Sequence, residues 1–77
     1  MSTVSTPMPG VFYRKPSPDA ENFVEPGDSV TEGQTIGLIE IMKSFSELKA
    51  NADGVLKEFL VENEDEVEIA QEIAVIE

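Results

Sequence analysis

Two stretches of this chain repeat one another. Residues 24–40 align with residues 61–77 over 17 positions without a gap, at a constant offset of 37 residues. Eight positions are identical: Val24/Val61, Glu25/Glu62, Asp28/Asp65, Val30/Val67, Gln34/Gln71, Ile36/Ile73, Ile39/Ile76 and Glu40/Glu77. Because a repeated sequence unit folds into a repeated structural unit, the chain is predicted to be a duplicated fold.

The first copy carries an insertion. Upstream of the alignment, Pro9-Gly10-Val11 corresponds to Asp53-Gly54-Val55, but here the offset is 44 residues instead of 37. The seven extra residues fall in the stretch that begins Lys15-Pro16-Ser17-Pro18. We place the insertion at approximately residues 15–22 and call it the thumb.

Short apolar runs bounded by turn residues predict strands in both copies. Residues 36–39 and 55–61 are rich in β-branched and large apolar side chains. Turns are predicted at 26–28, 31–33 and 52–54, each of which contains glycine, and at 63–65, which contains neither proline nor glycine. A helix over 67–73 is excluded, because the repeat would then require one at 30–36, where Gly33 disfavours it.

These signals predict an all-β fold in a single domain spanning 1–77. We expect a flattened barrel or two-sheet sandwich of two four-stranded halves related by a pseudo-two-fold axis, with the thumb inserted in the first half. Lys43 lies at the junction of the halves, in a predicted turn three residues after Glu40. Because Glu40 and Glu77 end equivalent strands, Lys43 is expected at the end of the molecule away from the C-terminus.

Composition excludes several function classes. The 77 residues include no cysteine and no histidine, which excludes thiolate zinc sites and Ser-His-Asp or Cys-His catalysis. We therefore predict no catalytic and no metal-binding residues. A net charge of −11 argues against nucleic acid and anionic membranes as partners. No membrane span or signal peptide is evident, so the cytoplasm or the plastid stroma is the expected location.

The junction Glu40-Ile41-Met42-Lys43-Ser44 resembles the modified-lysine turn of a known family. Glu40, Met42 and Lys43 match the Glu-Ala-Met-Lys-Met motif of biotin carboxyl carrier domains of acyl-CoA carboxylases, within the wider biotinyl/lipoyl family. The resemblance extends from Thr6 over the rest of the chain. It includes the thumb, which is similar to the protruding segment of the acetyl-CoA carboxylase subgroup.

The resemblance implies a non-catalytic carrier with biotin attached covalently to Lys43. Glu40, Met42 and Ser44 would then flank the attachment site, and Pro16, Ser17 and Pro18 of the thumb would contact the cofactor. The implied partners are a biotin-protein ligase, a biotin carboxylase and a carboxyltransferase that acts on an acyl-CoA, with acetyl-CoA expected.

Two alternative functions stay open at the level of sequence. Ile41 and Ser44 replace the alanine and the second methionine of the family motif, which is compatible with an unmodified interaction module of the same fold. A lipoyl carrier is the second alternative, although Met42 and the thumb favour biotin, since lipoyl domains usually have an acidic residue before the lysine.

Two further expectations concern packing and charge. Phe45 and Leu48 are expected in the core, because both are large and apolar. The carboxylates of residues 62–68 form a dense run that predicts a solvated face.

Overall fold

A computed structural model describes residues 1–77. It contains eight β-strands joined by turns and loops, and no helix. The structure therefore contains no helix able to span a membrane. The strands are β1 (Ser2–Ser5), β2 (Gly10–Tyr13), β3 (Ser29–Val30), β4 (Thr35–Ile41), β5 (Ser44–Lys49), β6 (Gly54–Phe59), β7 (Glu66–Val67) and β8 (Glu72–Ile76). The all-β prediction is confirmed, and β4 extends beyond the predicted run while β6 ends before Val61.

The strands form two four-stranded antiparallel sheets. One sheet has the order β1-β8-β6-β3 and the other β5-β4-β2-β7. Each sheet therefore takes two strands from the first half and two from the second, so neither half can close a sheet alone. The molecule measures 32 × 28 × 19 Å, which agrees with the expected flattened sandwich.

The duplication seen in the sequence extends to individual hydrogen bonds. The Ala50 amide donates to the Gln34 carbonyl at 2.9 Å, and the Thr6 amide donates to the Gln71 carbonyl at 3.0 Å. Ala50 and Thr6 are 44 residues apart, and Gln71 and Gln34 are 37 apart, which are the two offsets of the repeat. The insertion therefore changes the numbering of the second copy without changing its ladder.

The turns keep their backbone conformation where the second copy lacks glycine. Gly27 has φ 98° and its counterpart Glu64 has φ 70°, while Gly33 has φ 89° and its counterpart Ala70 has φ 67°. The predicted turns at 26–28 and 63–65 are both confirmed. Positive φ is uncommon outside glycine, so the surrounding pairing imposes it on Glu64 and Ala70.

The repeated aspartates explain how these turns hold together. The Asp28 carboxylate accepts a hydrogen bond from the Glu25 amide at 2.9 Å, and the Asp65 carboxylate accepts one from the Glu62 amide at 2.8 Å. An aspartate side chain that binds a nearby backbone amide stabilises a turn locally. This contact gives a structural reason for the identity of Asp28 and Asp65 in the repeat.

The core lies between the two sheets and follows the same symmetry. Phe12 corresponds to Leu56, Ile36 to Ile73 and Ile39 to Ile76 in the repeat, and all six side chains are fully buried. The complete buried cluster is Val4, Phe12, Val24, Val30, Ile36, Ile39, Leu48, Ala50, Leu56, Val67, Ile73, Ala74 and Ile76. Burial of this apolar surface is the main favourable term in folding.

Two equivalent glycines mark places where backbones approach closely. A Cβ at Gly10 would collide with the Glu40 carbonyl oxygen, and a Cβ at Gly54 would collide with the Glu77 carbonyl oxygen. Gly10 and Gly54 thus let β2 and β6 pass the last residues of β4 and β8. Gly10 and Gly54 occupy equivalent positions of the repeat because each half requires a residue without a Cβ at this close approach.

We expect Gly54→Ala to lower the free energy of unfolding by about 1–3 kcal/mol, as for an overpacked site. The added methyl group would meet the backbone of Glu77 and the side chain of Ile76, neither of which can move freely. Urea denaturation measures this change. Glu58→Ala, at an exposed position of the same strand β6, is the matched control and should change the free energy of unfolding by less than about 0.5 kcal/mol. A loss for Gly54→Ala no larger than that of the control would contradict the close-approach explanation.

Candidate functional site

A two-residue turn joins β4 to β5 and places Lys43 at its tip. Met42 has φ 50° and Lys43 has φ 67°, and Ile41 pairs with Ser44 across the ladder. Positive φ at both central residues of a two-residue loop is the pattern of a type I′ hairpin turn. The predicted turn between the halves is therefore confirmed, and the structure adds its conformation.

The side chains of this turn face solvent. Met42 is 93% exposed, and Lys43 and Ser44 are also exposed. The two ion pairs of the structure use Arg14 and Lys57, so no carboxylate pairs with the Lys43 ammonium. An exposed amine on a rigid hairpin tip is accessible to a modifying enzyme.

Glu40 lies two strand positions below the turn and stabilises the outer face of the sheet. Its carboxylate accepts a hydrogen bond from the Tyr13 hydroxyl at 2.8 Å. This hydrogen bond, followed by partial desolvation and by repulsion from Glu40 and Glu64, raises the pKa of Tyr13 above its ordinary value of 10.0. The contact ties the hairpin strand β4 to β2, the strand that leads into the thumb.

Phe45 belongs to the same outer face, so the prediction that it lies in the core is wrong. Its side chain is 58% exposed, and its ring lies 6.0 Å from the Tyr13 ring, centroid to centroid. Successive residues of a strand point to opposite faces, so two residues three apart cannot both face the core of a regular strand. Leu48 is buried as expected, and Phe45 therefore points outward.

The thumb begins and ends at one backbone hydrogen bond. The Phe23 amide donates to the Arg14 carbonyl at 2.8 Å, and this bond encloses residues 15–22. Within the segment, the Ala20 amide donates to the Ser17 carbonyl at 3.1 Å. The thumb is therefore a closed loop between β2 and β3 at the position of the predicted insertion.

Arg14 anchors the base of the thumb. Its guanidinium lies 4.6 Å from the centroid of the Phe59 ring and forms an ion pair with Glu25 at 2.7 Å. Its backbone amide donates to the Asn63 side-chain oxygen at 2.8 Å. These contacts connect the thumb to β6 and to the turn at 63–65, so the thumb is attached to both halves of the fold.

The sheet β5-β4-β2-β7 contains the β4–β5 hairpin and is called the hairpin sheet below. Its outer face and the thumb enclose a groove of about 350 Å³. The predicted thumb residues Pro16, Ser17 and Pro18 line it, together with Tyr13 and Phe45. The predicted turn residues Glu40, Met42, Lys43 and Ser44 lie outside the groove lining. Tyr13 and Phe45, which lie between the two predicted groups, were missed by the sequence reasoning, although strand alternation places both on the outer face.

Comparison with known proteins places the chain in a family. The biotin/lipoyl family model, described as "Biotin-requiring enzyme", matches residues 2–76. The chain belongs to the biotinyl/lipoyl family. The predicted resemblance of the chain to that family is thereby confirmed.

Three relatives of this chain share the same name. The chain is 48% identical over 68 residues to the biotin carboxyl carrier protein of acetyl-CoA carboxylase from Streptococcus pyogenes, an alignment that covers 88% of this chain and 41% of the relative. It is 44% identical to the protein of that name from Nostoc sp., with 92% and 39% covered. It is 42% identical to the one from Haemophilus influenzae, with 96% and 48% covered. The chain thus spans less than half the length of these relatives.

We expect Lys43→Gly to raise the free energy of unfolding by about 1 kcal/mol, because glycine adopts positive φ without the steric cost that other residues incur. Lys49→Gly, at the end of strand β5 where φ is not positive, is the matched control and should lower it by about 0.5–1 kcal/mol. Urea denaturation of the two variants measures both effects. Destabilisation by Lys43→Gly equal to that of the control would contradict the type I′ turn.

The phenol of Tyr13 reports on Glu40, because Tyr13 is the single tyrosine of the chain. We expect its phenolate absorbance to titrate above pH 10.0, and Glu40→Gln to lower the pKa towards that value. Folding therefore gains from the Tyr13 proton below pH 10.0, and this gain is lost as the pH rises through the folded-state pKa. Glu32→Gln, a carboxylate that does not act on Tyr13, should leave the titration unchanged. An unchanged pKa in Glu40→Gln would contradict the contact.

Proposed function

We propose that this chain carries biotin in amide linkage to Lys43 and moves a carboxyl group from a biotin carboxylase to an acyl-CoA carboxyltransferase. Acetyl-CoA is the proposed acyl-CoA, because the relatives are named as carriers of acetyl-CoA carboxylase. The single observation that supports the proposal most is the exposed Lys43 amine at a two-residue turn between the halves of a biotinyl/lipoyl fold.

The residues of the turn fit covalent attachment of this cofactor. The Lys43 ammonium has no carboxylate partner to displace, and the neighbouring side chains Ile41, Met42 and Ser44 are exposed. A biotin-protein ligase can therefore contact the turn without unfolding the hairpin. We propose that Met42 and Ser44 are recognised by the ligase and that Glu40 positions the hairpin through Tyr13.

The chain contributes position, and biotin, when bound, supplies the ureido nitrogen that accepts and releases the carboxyl group. The β4–β5 ladder fixes the base of the arm, while the lysine side chain and the acyl chain of biotin leave the head free to move. A tether of this kind raises the effective concentration of the head at neighbouring active sites. The chain itself is proposed to catalyse no step.

The proposed partners are the biotin-protein ligase, the biotin carboxylase and the carboxyltransferase. The proposed location is the cytoplasm or the plastid stroma, where such a carboxylase would meet its acyl-CoA. Acylation of Lys43 neutralises one ammonium and changes the net charge from −11 to −12.

Co-expression with a biotin-protein ligase tests the proposal. We expect the intact mass to increase by one biotinyl group and the product to bind avidin, because Lys43 is the accessible amine at the turn. Lys43→Arg keeps the charge but removes the acylatable amine, and it should abolish both signals. Lys49→Arg, at the other end of β5, is the matched control and should be labelled as the wild type.

Other outcomes would contradict the proposal or favour one of the two alternative functions. Labelling that survives Lys43→Arg would contradict attachment at Lys43. A mass gain with a lipoyl ligase and none with the biotin ligase would favour a lipoyl carrier. Failure of both ligases on the folded chain would favour an unmodified interaction module.

A further inference from the structure

A cation lines the groove between the thumb and the hairpin sheet. Lys15 is half-buried, and it lines the groove together with Pro16, Pro18 and Phe45. Phe45 lies two residues after Lys43 on the same hairpin. A group attached to Lys43 through a long flexible arm can therefore fold back over Phe45 into this groove.

Lys15 has no ion-pair partner, although carboxylates lie around it. The ion pairs of the structure are Arg14–Glu25 and Lys57–Glu77, and neither uses Lys15. Glu64 lines the same groove, and a neighbouring depression that Lys15 also lines contains Glu21, Glu25 and Asp28. The lysine therefore remains available to an anion that enters the groove, and it offsets the repulsion that Glu64 would exert.

Attachment of a cofactor to Lys43 removes one positive charge and leaves Lys15 as the unpaired cation near the turn. The chain has four lysines and one arginine, and acylation removes the charge of Lys43. Arg14 is already paired with Glu25, and Lys49 lies at the far end of β5. Lys15 is then the unpaired cation on the hairpin side of an acidic molecule.

The resemblance implies that the thumb contacts the cofactor, and we propose that Lys15 selects the form of the biotin head that bears the transferred carboxyl group. The head would contact the apolar surfaces of Pro16, Pro18 and Phe45 in either form. The Lys15 ammonium would add an ion pair only when the head carries a carboxylate. This inference rests on the proposed function and deepens it, because it makes the thumb sensitive to whether the carrier is loaded.

The size of the effect follows from the exposure of the pair. An ion pair at a partly exposed site contributes about 0.2–1 kcal/mol, so the preference for the loaded head is expected to be about 1.4- to fivefold. Lys15 forms and breaks no covalent bond in this role. It is a specificity-determining residue for the cargo, and its contribution should weaken with added salt.

The test uses the biotinylated chain, prepared with the ligase and verified by intact mass. Radiolabelled bicarbonate, Mg-ATP and a biotin carboxylase load the head, and the lifetime of the label on the purified carrier is then measured. An ion pair stabilises the carboxylate before it is lost as CO₂, so Lys15→Gln should shorten the lifetime about 1.4- to fivefold. Lys15→Arg should restore it, and Lys49→Gln should leave it unchanged.

Nuclear magnetic resonance supplies a readout that is independent of lifetime. The side-chain signals of Lys15 should shift when the neutral head becomes loaded, and the signals of Lys49 should not. Equal lifetimes in wild type and Lys15→Gln, or Lys15 signals that do not change on loading, would overturn the site. Absence of any biotin mass gain would instead overturn the proposed function, and the groove site with it.

Discussion

The β4–β5 ladder is the interaction on which the rest of this structure depends. It spans Thr35–Ile41 and Ser44–Lys49 and joins the two halves of the duplication by the shortest connection in the fold. Two consecutive residues with positive φ, Met42 and Lys43, are tolerated at its end because the paired strands determine the turn. The same pairing fixes the backbone of Lys43 relative to the core while leaving its side chain exposed.

The repeat in the sequence predicted the strand pattern, the turns and the position of the thumb, because each depends on local residue types. It could not predict that each sheet combines strands from both halves, since this exchange is a property of tertiary pairing. It also misplaced Phe45, because apolar character alone was used where strand alternation decides. Sequence reasoning identified Lys43 and the thumb separately, but the groove between them depends on Tyr13 and Phe45, which come together only in the folded chain.

The few cations of this acidic chain stand out against its many exposed carboxylates. The carboxylates of residues 62–68 are exposed, as expected of a solvated face, and they give the molecule much of its negative charge. Against this background, four of the five cations have an identifiable role: Arg14 anchors the thumb, Lys57 pairs with Glu77, Lys43 presents an amine, and Lys15 lines the groove. Ile41 and Ser44, which depart from the family motif, pair with each other across the ladder and leave a two-residue loop between them.

The central claim is that the fold, through this turn, selects one amine out of four lysines. Peptide mapping by mass spectrometry of the ligase-treated wild-type chain tests it directly, because every lysine is then present in competition. The account predicts that all biotin is found on the peptide containing Lys43. Biotin on Lys15, Lys49 or Lys57 at a comparable level would contradict it.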